Sequence, residues 1–186
     1  MRIGLIFVII ILIIVGVAYF FLLPSNKATD NISDSQLPLL MIITSPAFSH
    51  NGQVPLKYTC DGEDINPPLT ISGVPANAKS LVLIVDDPDA PRGTWVHWTV
   101  WNIKPDTTSI GENSLPMGAV EGTTDFGRTG YGGPCPPSGT HRYFFKIYAL
   151  DTLINLSSSA RKADIEKVME GHILDQTELI GLYKRS

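Results

Sequence analysis

All 14 prolines of this 186-residue chain, and all but Gly4 and Gly16 of its 16 glycines, fall after residue 23. Proline fixes φ and removes a backbone donor, and glycine carries a large backbone entropy into any regular element. A body punctuated this densely cannot sustain a bundle of long helices. It reads as short strands joined by turns, an all-β domain. At roughly 100–200 residues per domain there is room for one core.

The first 23 residues are of a different kind. Residues 3–23 contain no charged side chain, and 21 apolar residues would make a helix roughly 32 Å long, enough to span a bilayer. The run ends in Tyr19-Phe20-Phe21-Leu22-Leu23-Pro24, without the small-residue pattern of a cleavage site. A single N-terminal transmembrane helix, residues 1–24, is the expectation, with a cleaved signal peptide as the alternative. Residues 25–40 are rich in Asn, Asp, Ser and Gln and read as a flexible tether. The globular domain is expected over 41–186, membrane-anchored and extracytoplasmic.

Charge narrows the function. The chain has 14 Lys and Arg against 18 Asp and Glu, a net charge of −4, and no basic block. Nucleic-acid binding, which needs clustered cations, is excluded.

Within the body, residues 79–86 form a continuous β-branched apolar run, expected of a strand buried on both faces. Residues 96–103 and 143–150 are the next strongest strands; 54–58, 69–72 and 179–183 are shorter ones. Alternation puts His97, Thr99, Trp101 and Ile103 on one strand face and Trp98 and Val100 on the other. One helix is expected over 159–170, capped by Ser158 or Ser159 and ended by Gly171, with Ile165, Val168, Met169 and Ile173 on one side. The fold class is an antiparallel Greek-key β-sandwich with a C-terminal helix.

Three segments can carry chemistry. Asp86-Asp87-Pro88-Asp89-Ala90-Pro91 follows the most buried strand; as a bland reading it is a strand-ending turn. Trp95-Val96-His97-Trp98 puts one histidine on a strand, where a hydrogen-bonded core role is the common one. Gly130-Tyr131-Gly132-Gly133-Pro134-Cys135-Pro136-Pro137-Ser138-Gly139-Thr140-His141-Arg142-Tyr143 is a tightly turning loop feeding a strand on which His141, Tyr143, Phe145 and Ile147 share a face. Carboxylates, two histidines and a Gly/Pro loop at strand ends could converge on one small polar pocket.

Together these segments resemble the signature of the phosphatidylethanolamine-binding protein family, known also through Raf kinase inhibitor protein, in its bacterial and archaeal form. The match extends to Tyr58-Thr59-Cys60-Asp61-Gly62, Thr124-Asp125-Phe126-Gly127 and Gly171-His172-Ile173-Leu174. The resemblance implies the sandwich, and a small pocket for phosphate or phosphorylated head groups. Its implied lining is Asp87, Asp89, Ala90, Pro91, Trp95, His97, Gly133, Pro136, Pro137, His141 and Tyr143. Protonated histidines, the tyrosine hydroxyl and the Gly133 N–H would donate to the ligand. It further implies a non-enzymatic binding module without cofactor, whose protein target would be a protease or kinase that it inhibits.

Cys60 and Cys135 are the only cysteines, so one disulfide connectivity exists. An extracytoplasmic domain favours the disulfide; two free thiols and shared metal ligation are the alternatives. No Cys-x-x-Cys or His-x-x-x-His spacing supports a metal. The rival function is a hydrolase or transferase using Cys135 with His141, or the Asp/His pocket. No Gly-x-Ser-x-Gly elbow, Walker loop or zincin helix accompanies it.

Overall fold

The computed structural model describes residues 40–185. Nine strands lie among them: β1 (Ile42–Thr44), β2 (Gly52–Gln53), β3 (Leu69–Ser72), β4 (Ser80–Asp87), β5 (Trp95–Ile103), β6 (Ser109–Ile110), β7 (Val120–Glu121), β8 (Thr140–Leu150) and β9 (Ile173–Lys184). One helix, α1 (Lys162–Met169), precedes β9. A three-stranded sheet has the order β1-β3-β6, and a six-stranded sheet β2-β9-β8-β4-β5-β7.

Strand β4 explains its own composition. Leu81, Leu83 and Val85 enter the core between the sheets, against Ile43, Leu69, Ile71 and Ile110 of the smaller sheet. Val82 and Ile84 enter a second cluster with Trp101, Leu150, Ile165 and Met169, under α1. A strand covered by a sheet on one face and a helix on the other has no polar face, hence the unbroken apolar run.

The sandwich departs from expectation in several places. Strand β2 pairs parallel with β9, so the sheets are not wholly antiparallel. Residues 56–58 form a 3-10 turn, not a strand. The helix starts at Lys162, because residues 157–160 are stitched to neighbouring backbone: Ala160 N–H donates to Ser157 O, and Thr123 N–H to Ala160 O. Its first turn is closed by Asp164, whose Oδ2 accepts from Arg161 N–H at 2.9 Å, in place of either serine. Gly171, at φ 78°, ends it. The last element is β9, a strand of 12 residues, and it takes Ile173 away from the helix face.

Strand β5 does not alternate simply. Its register against β4 slips between Leu83↔Val100 and Leu81↔Ile103, around Asn102 at φ 56°. That extra residue returns Ile103 to the face of Trp98 and Val100, while Trp101 turns to the helix side. A second slip, between Val85↔Trp98 and Asp86↔Val96, leaves His97 as the unpaired residue. Bulges re-aim single side chains in this way.

The membrane helix expected ahead of the sandwich is corrected. Among the described residues no helix is long and apolar enough to cross a membrane, and the fold class is a mostly β domain with one helix. Residues 3–23, and the tether at 25–39, lie outside the described residues.

Candidate functional site

Three strand ends meet at one end of the six-stranded sheet. The C-terminus of β4 and the N-terminus of β5 are joined by a short turn, with Asp87 opposite Trp95. The N-terminus of β8 lies beside β4, Asp86 opposite Phe144. Side chains here surround a cavity of about 270 Å³ lined by Asp87, Ala90, Pro91, Trp95, His97, Phe126, Cys135 and Pro137.

The floor is polar and out of water. Asp87, His97 and His141 are 3%, 3% and 7% exposed. His141 Nδ1 lies 2.7 Å from Asp87 Oδ2, and Asp87 Oδ1 accepts from Asp89 N–H at 2.8 Å. His97 Nδ1 lies 2.7 Å from Gly132 O. Burial holds the His97 pKa below the ordinary histidine value, against the opposing pull of the Gly132 bond and of Asp87, Asp86 and Asp64. The Tyr143 ring stands edge-on to His97 at 5.1 Å. Its hydroxyl is buried without a hydrogen-bond partner. Burial, then the Asp87 charge, pushes the Tyr143 pKa up.

The walls are apolar. Phe126 stands edge-on to both Trp95, at 5.5 Å, and His97, at 5.4 Å. It is carried on a turn closed by Gly127 N–H donating to Thr124 O, with Gly127 at φ 75°. The Cys60–Cys135 disulfide forms another wall, and no free cysteine remains.

Of the eleven residues expected at the pocket, Asp87, Ala90, Pro91, Trp95, His97 and Pro137 line the cavity. His141 and Tyr143 back it through Asp87 and His97. Asp89 turns to Arg142, accepting at 2.9 and 2.7 Å from the guanidinium and at 3.0 Å from the backbone N–H. Pro136 and Gly133 are outside the lining. The Gly133 N–H is committed to Asp64 Oδ1 at 2.6 Å and does not face a ligand. Its role is steric: a Cβ there would lie 2.7 Å from Tyr58 O and 2.8 Å from Thr59 Cα. Two lining residues lie outside the expected set: Cys135, expected only as a disulfide partner in the loop, and Phe126, although Thr124-Asp125-Phe126-Gly127 stood out as a motif. No group of three or more His, Cys, Asp or Glu able to hold a metal exists among the described residues.

Comparison with known proteins follows the same stretch of chain. Residues 44–184 match the family model for phosphatidylethanolamine-binding protein. A UPF0098 protein of Methanothermobacter thermautotrophicus is 54% identical over 150 residues, 78% of this chain and 99% of the relative. One from Pyrococcus horikoshii is 53% identical over 149 residues, 76% of this chain and 75% of the relative. The crystal structure of a phosphatidylethanolamine-binding protein homologue of Chlamydia trachomatis matches with TM-score 0.77 and 42% identity, covering 80% of this chain and 99% of that one. YbcL of E. coli, described as a member of the mammalian family, matches with TM-score 0.74 and 34% identity, covering 78% and 99%. Sandwich, cavity segments and sequence likeness coincide over one stretch, and the chain belongs to the phosphatidylethanolamine-binding protein family.

Proposed function

We propose that this chain is a binding module, not an enzyme, whose cavity takes a small phosphorylated or otherwise anionic group. Family membership supports a ligand-binding domain. The observation that carries the finer reading is the Asp87–His141 pair, 2.7 Å apart, beside His97 at the floor of an otherwise apolar cavity. An imidazolium N–H and the Trp95 indole N–H are donors suited to phosphate oxygens. A volume of about 270 Å³ is below that of a pocket for a drug-sized ligand, roughly 300–1,000 Å³. It suits a head group and leaves no space for an acyl chain.

The geometry argues against the enzyme readings. A cysteine nucleophile needs a thiolate, and Cys135 is bonded to Cys60. The Asp87–His141 pair resembles the base and orienting half of a hydrolytic triad, yet the lining offers it no serine or threonine hydroxyl. The disulfide also supports an extracytoplasmic location, where such bonds persist.

The test is an NMR titration of the full chain with phosphate and phosphoethanolamine, following backbone and indole N–H signals. Saturable shifts in segments 87–97 and 126–143, lost in His97→Ala and His141→Ala, are expected. Binding unchanged in both variants would refute the assignment.

A further inference from the structure

His97 is the acceptor that this cavity leaves without a partner. A carbonyl oxygen can only accept, so the 2.7 Å contact with Gly132 O puts the ring hydrogen on Nδ1. Gly132 N–H returns a bond to His97 O at 3.0 Å, so backbone and ring are clamped to one residue. Nε2 makes no hydrogen bond among the described residues, yet it is absent from the buried unpaired atoms. It therefore opens on the cavity that His97 lines.

The surroundings keep it a lone pair. Burial disfavours the charged ring, against Asp87 and Asp86 from β4 and Asp64 from the loop before β3. From β8, His141 reaches it only through Asp87, and Tyr143 offers a ring edge. Arg142 is committed to Asp89, and Arg128 to Tyr131 O and Asp64. Both Asp87 oxygens already accept a bond each. A ligand seated here meets a donor at Trp95 and an acceptor at His97.

We infer that the cavity selects phosphomonoesters in their hydrogen-bearing, singly charged form, with the P–OH donating to His97 Nε2. This rests on the anion-binding reading above and adds what that reading leaves open. A sulfate ester and a phosphodiester match the tetrahedral shape and the charge but carry no hydrogen to donate. Above the monoester's second pKa, about 6, the dianion takes one proton from solvent on binding, held between its oxygen and Nε2. The head of an intact phospholipid is a diester, so the same rule favours a free monoester over a membrane lipid as the source.

The full chain is titrated calorimetrically with methyl phosphate, methyl sulfate and dimethyl phosphate, at pH 6 to 8 and in buffers of different ionisation heat. Methyl phosphate should bind at least about tenfold more tightly than the other two. Its affinity should fall about tenfold between pH 7 and 8, with one proton taken up. His97→Gln, whose amide can donate, should erase the preference. Long-range ¹⁵N NMR of the unliganded protein reads the ring directly and should show Nε2 unprotonated at pH 7. Equal affinity for the three probes, affinity for methyl phosphate rising with pH, or a protonated Nε2 overturns the inference and leaves anion binding standing. Absence of saturable binding by all three overturns both.

Discussion

Asp87 Oδ2, on the last residue of β4, lies 2.7 Å from His141 Nδ1, on the second residue of β8, and the two side chains are 5% and 9% exposed. Removing one partner of a buried pair leaves the other unmatched. His141→Ala strands a carboxylate that keeps only the Asp89 N–H, and should destabilise by about 2–4 kcal/mol. Asp87→Ala leaves an imidazole able to stay neutral, and should cost less, about 1–3 kcal/mol. Urea unfolding of both variants checks the order; a larger loss in Asp87→Ala would contradict it.

Asp89 and Arg142 tie the turn after β4 to β8. The bonds from the Arg142 guanidinium hold the Asp89 pKa down to about 2, against desolvation. A depressed carboxyl contributes stability above its unfolded value, roughly 3.9, and loses it as pH falls through the folded one. The pair is partly exposed, so solvent screening reduces its worth to about 1 kcal/mol. Asp89→Asn should therefore be less stable than the parent at pH 5, with the gap shrinking as pH falls from about 4 to about 2, by urea midpoints across that window. A gap as large at pH 2 as at pH 5 would show another origin.

The opposite face of β4 carries a second charged anchor. Asp86 is fully buried, with Lys146 Nζ of β8 at 2.8 and 3.0 Å and Lys162 Nζ of α1 at 3.2 Å. One carboxylate thus pins the helix to the sheet. Asp86→Ala leaves Lys146 without its carboxylate and Lys162 with Glu166 alone, at 3.2 Å, and should cost about 2–3 kcal/mol. Lys162→Met keeps the Lys146 bond and should cost about 1 kcal/mol. Thermal unfolding of both variants tests the ranking.

Much of this site could be read from the chain because its segments are contiguous and follow recognisable strands. The run at 79–86 announced β4, and alternation put Tyr143, Phe145 and Ile147 on one strand face, the face that the structure buries in the core. What could not be read depends on contacts between distant segments. Alternation along β5 failed where bulges at His97 and Asn102 inserted extra residues. The first half of β9 alternates exposed and half-buried residues, so its start was absorbed into a helical pattern. Phe126 reaches the cavity from a separate turn, and Asp64 claims the Gly133 N–H across 69 positions.

The Cys60–Cys135 disulfide closes a loop of 75 residues. Chain entropy assigns such a loop about 4 kcal/mol, and Cys60→Ser with Cys135→Ser should lose about 2–4 kcal/mol by urea unfolding. Native contacts independent of the bridge join the same segments: Cys60 N–H to Pro134 O at 3.1 Å and Tyr131 hydroxyl to Tyr58 O at 3.0 Å. The double variant should therefore still fold. Thiol titration of the unfolded parent without reductant should find no free thiol; finding two would remove the bridge from the cavity wall.

Two adjacent glycines separate the cavity from the scaffold. A Cβ at Gly132 would lie 2.4 Å from the Phe126 ring. Phe126 is 39% exposed, so its ring can yield towards solvent by giving up its contacts with Trp95 and His97, and Gly132→Ala should fold with a loss of about 1 kcal/mol while opening the cavity wall. A Cβ at Gly133 meets backbone, Tyr58 O at 2.7 Å and Thr59 Cα at 2.8 Å, as well as Asp64 Oδ1 at 2.9 Å. Backbone cannot swing aside, so Gly133→Ala should cost about 1–3 kcal/mol, as overpacked cores do. Phosphate affinity and urea stability, measured on both variants, should divide cleanly. Gly132→Ala should lose affinity with stability nearly intact, and Gly133→Ala should lose stability first. The reverse division would assign the ligand to the Gly133 side of the loop and not to the cavity walled by Phe126.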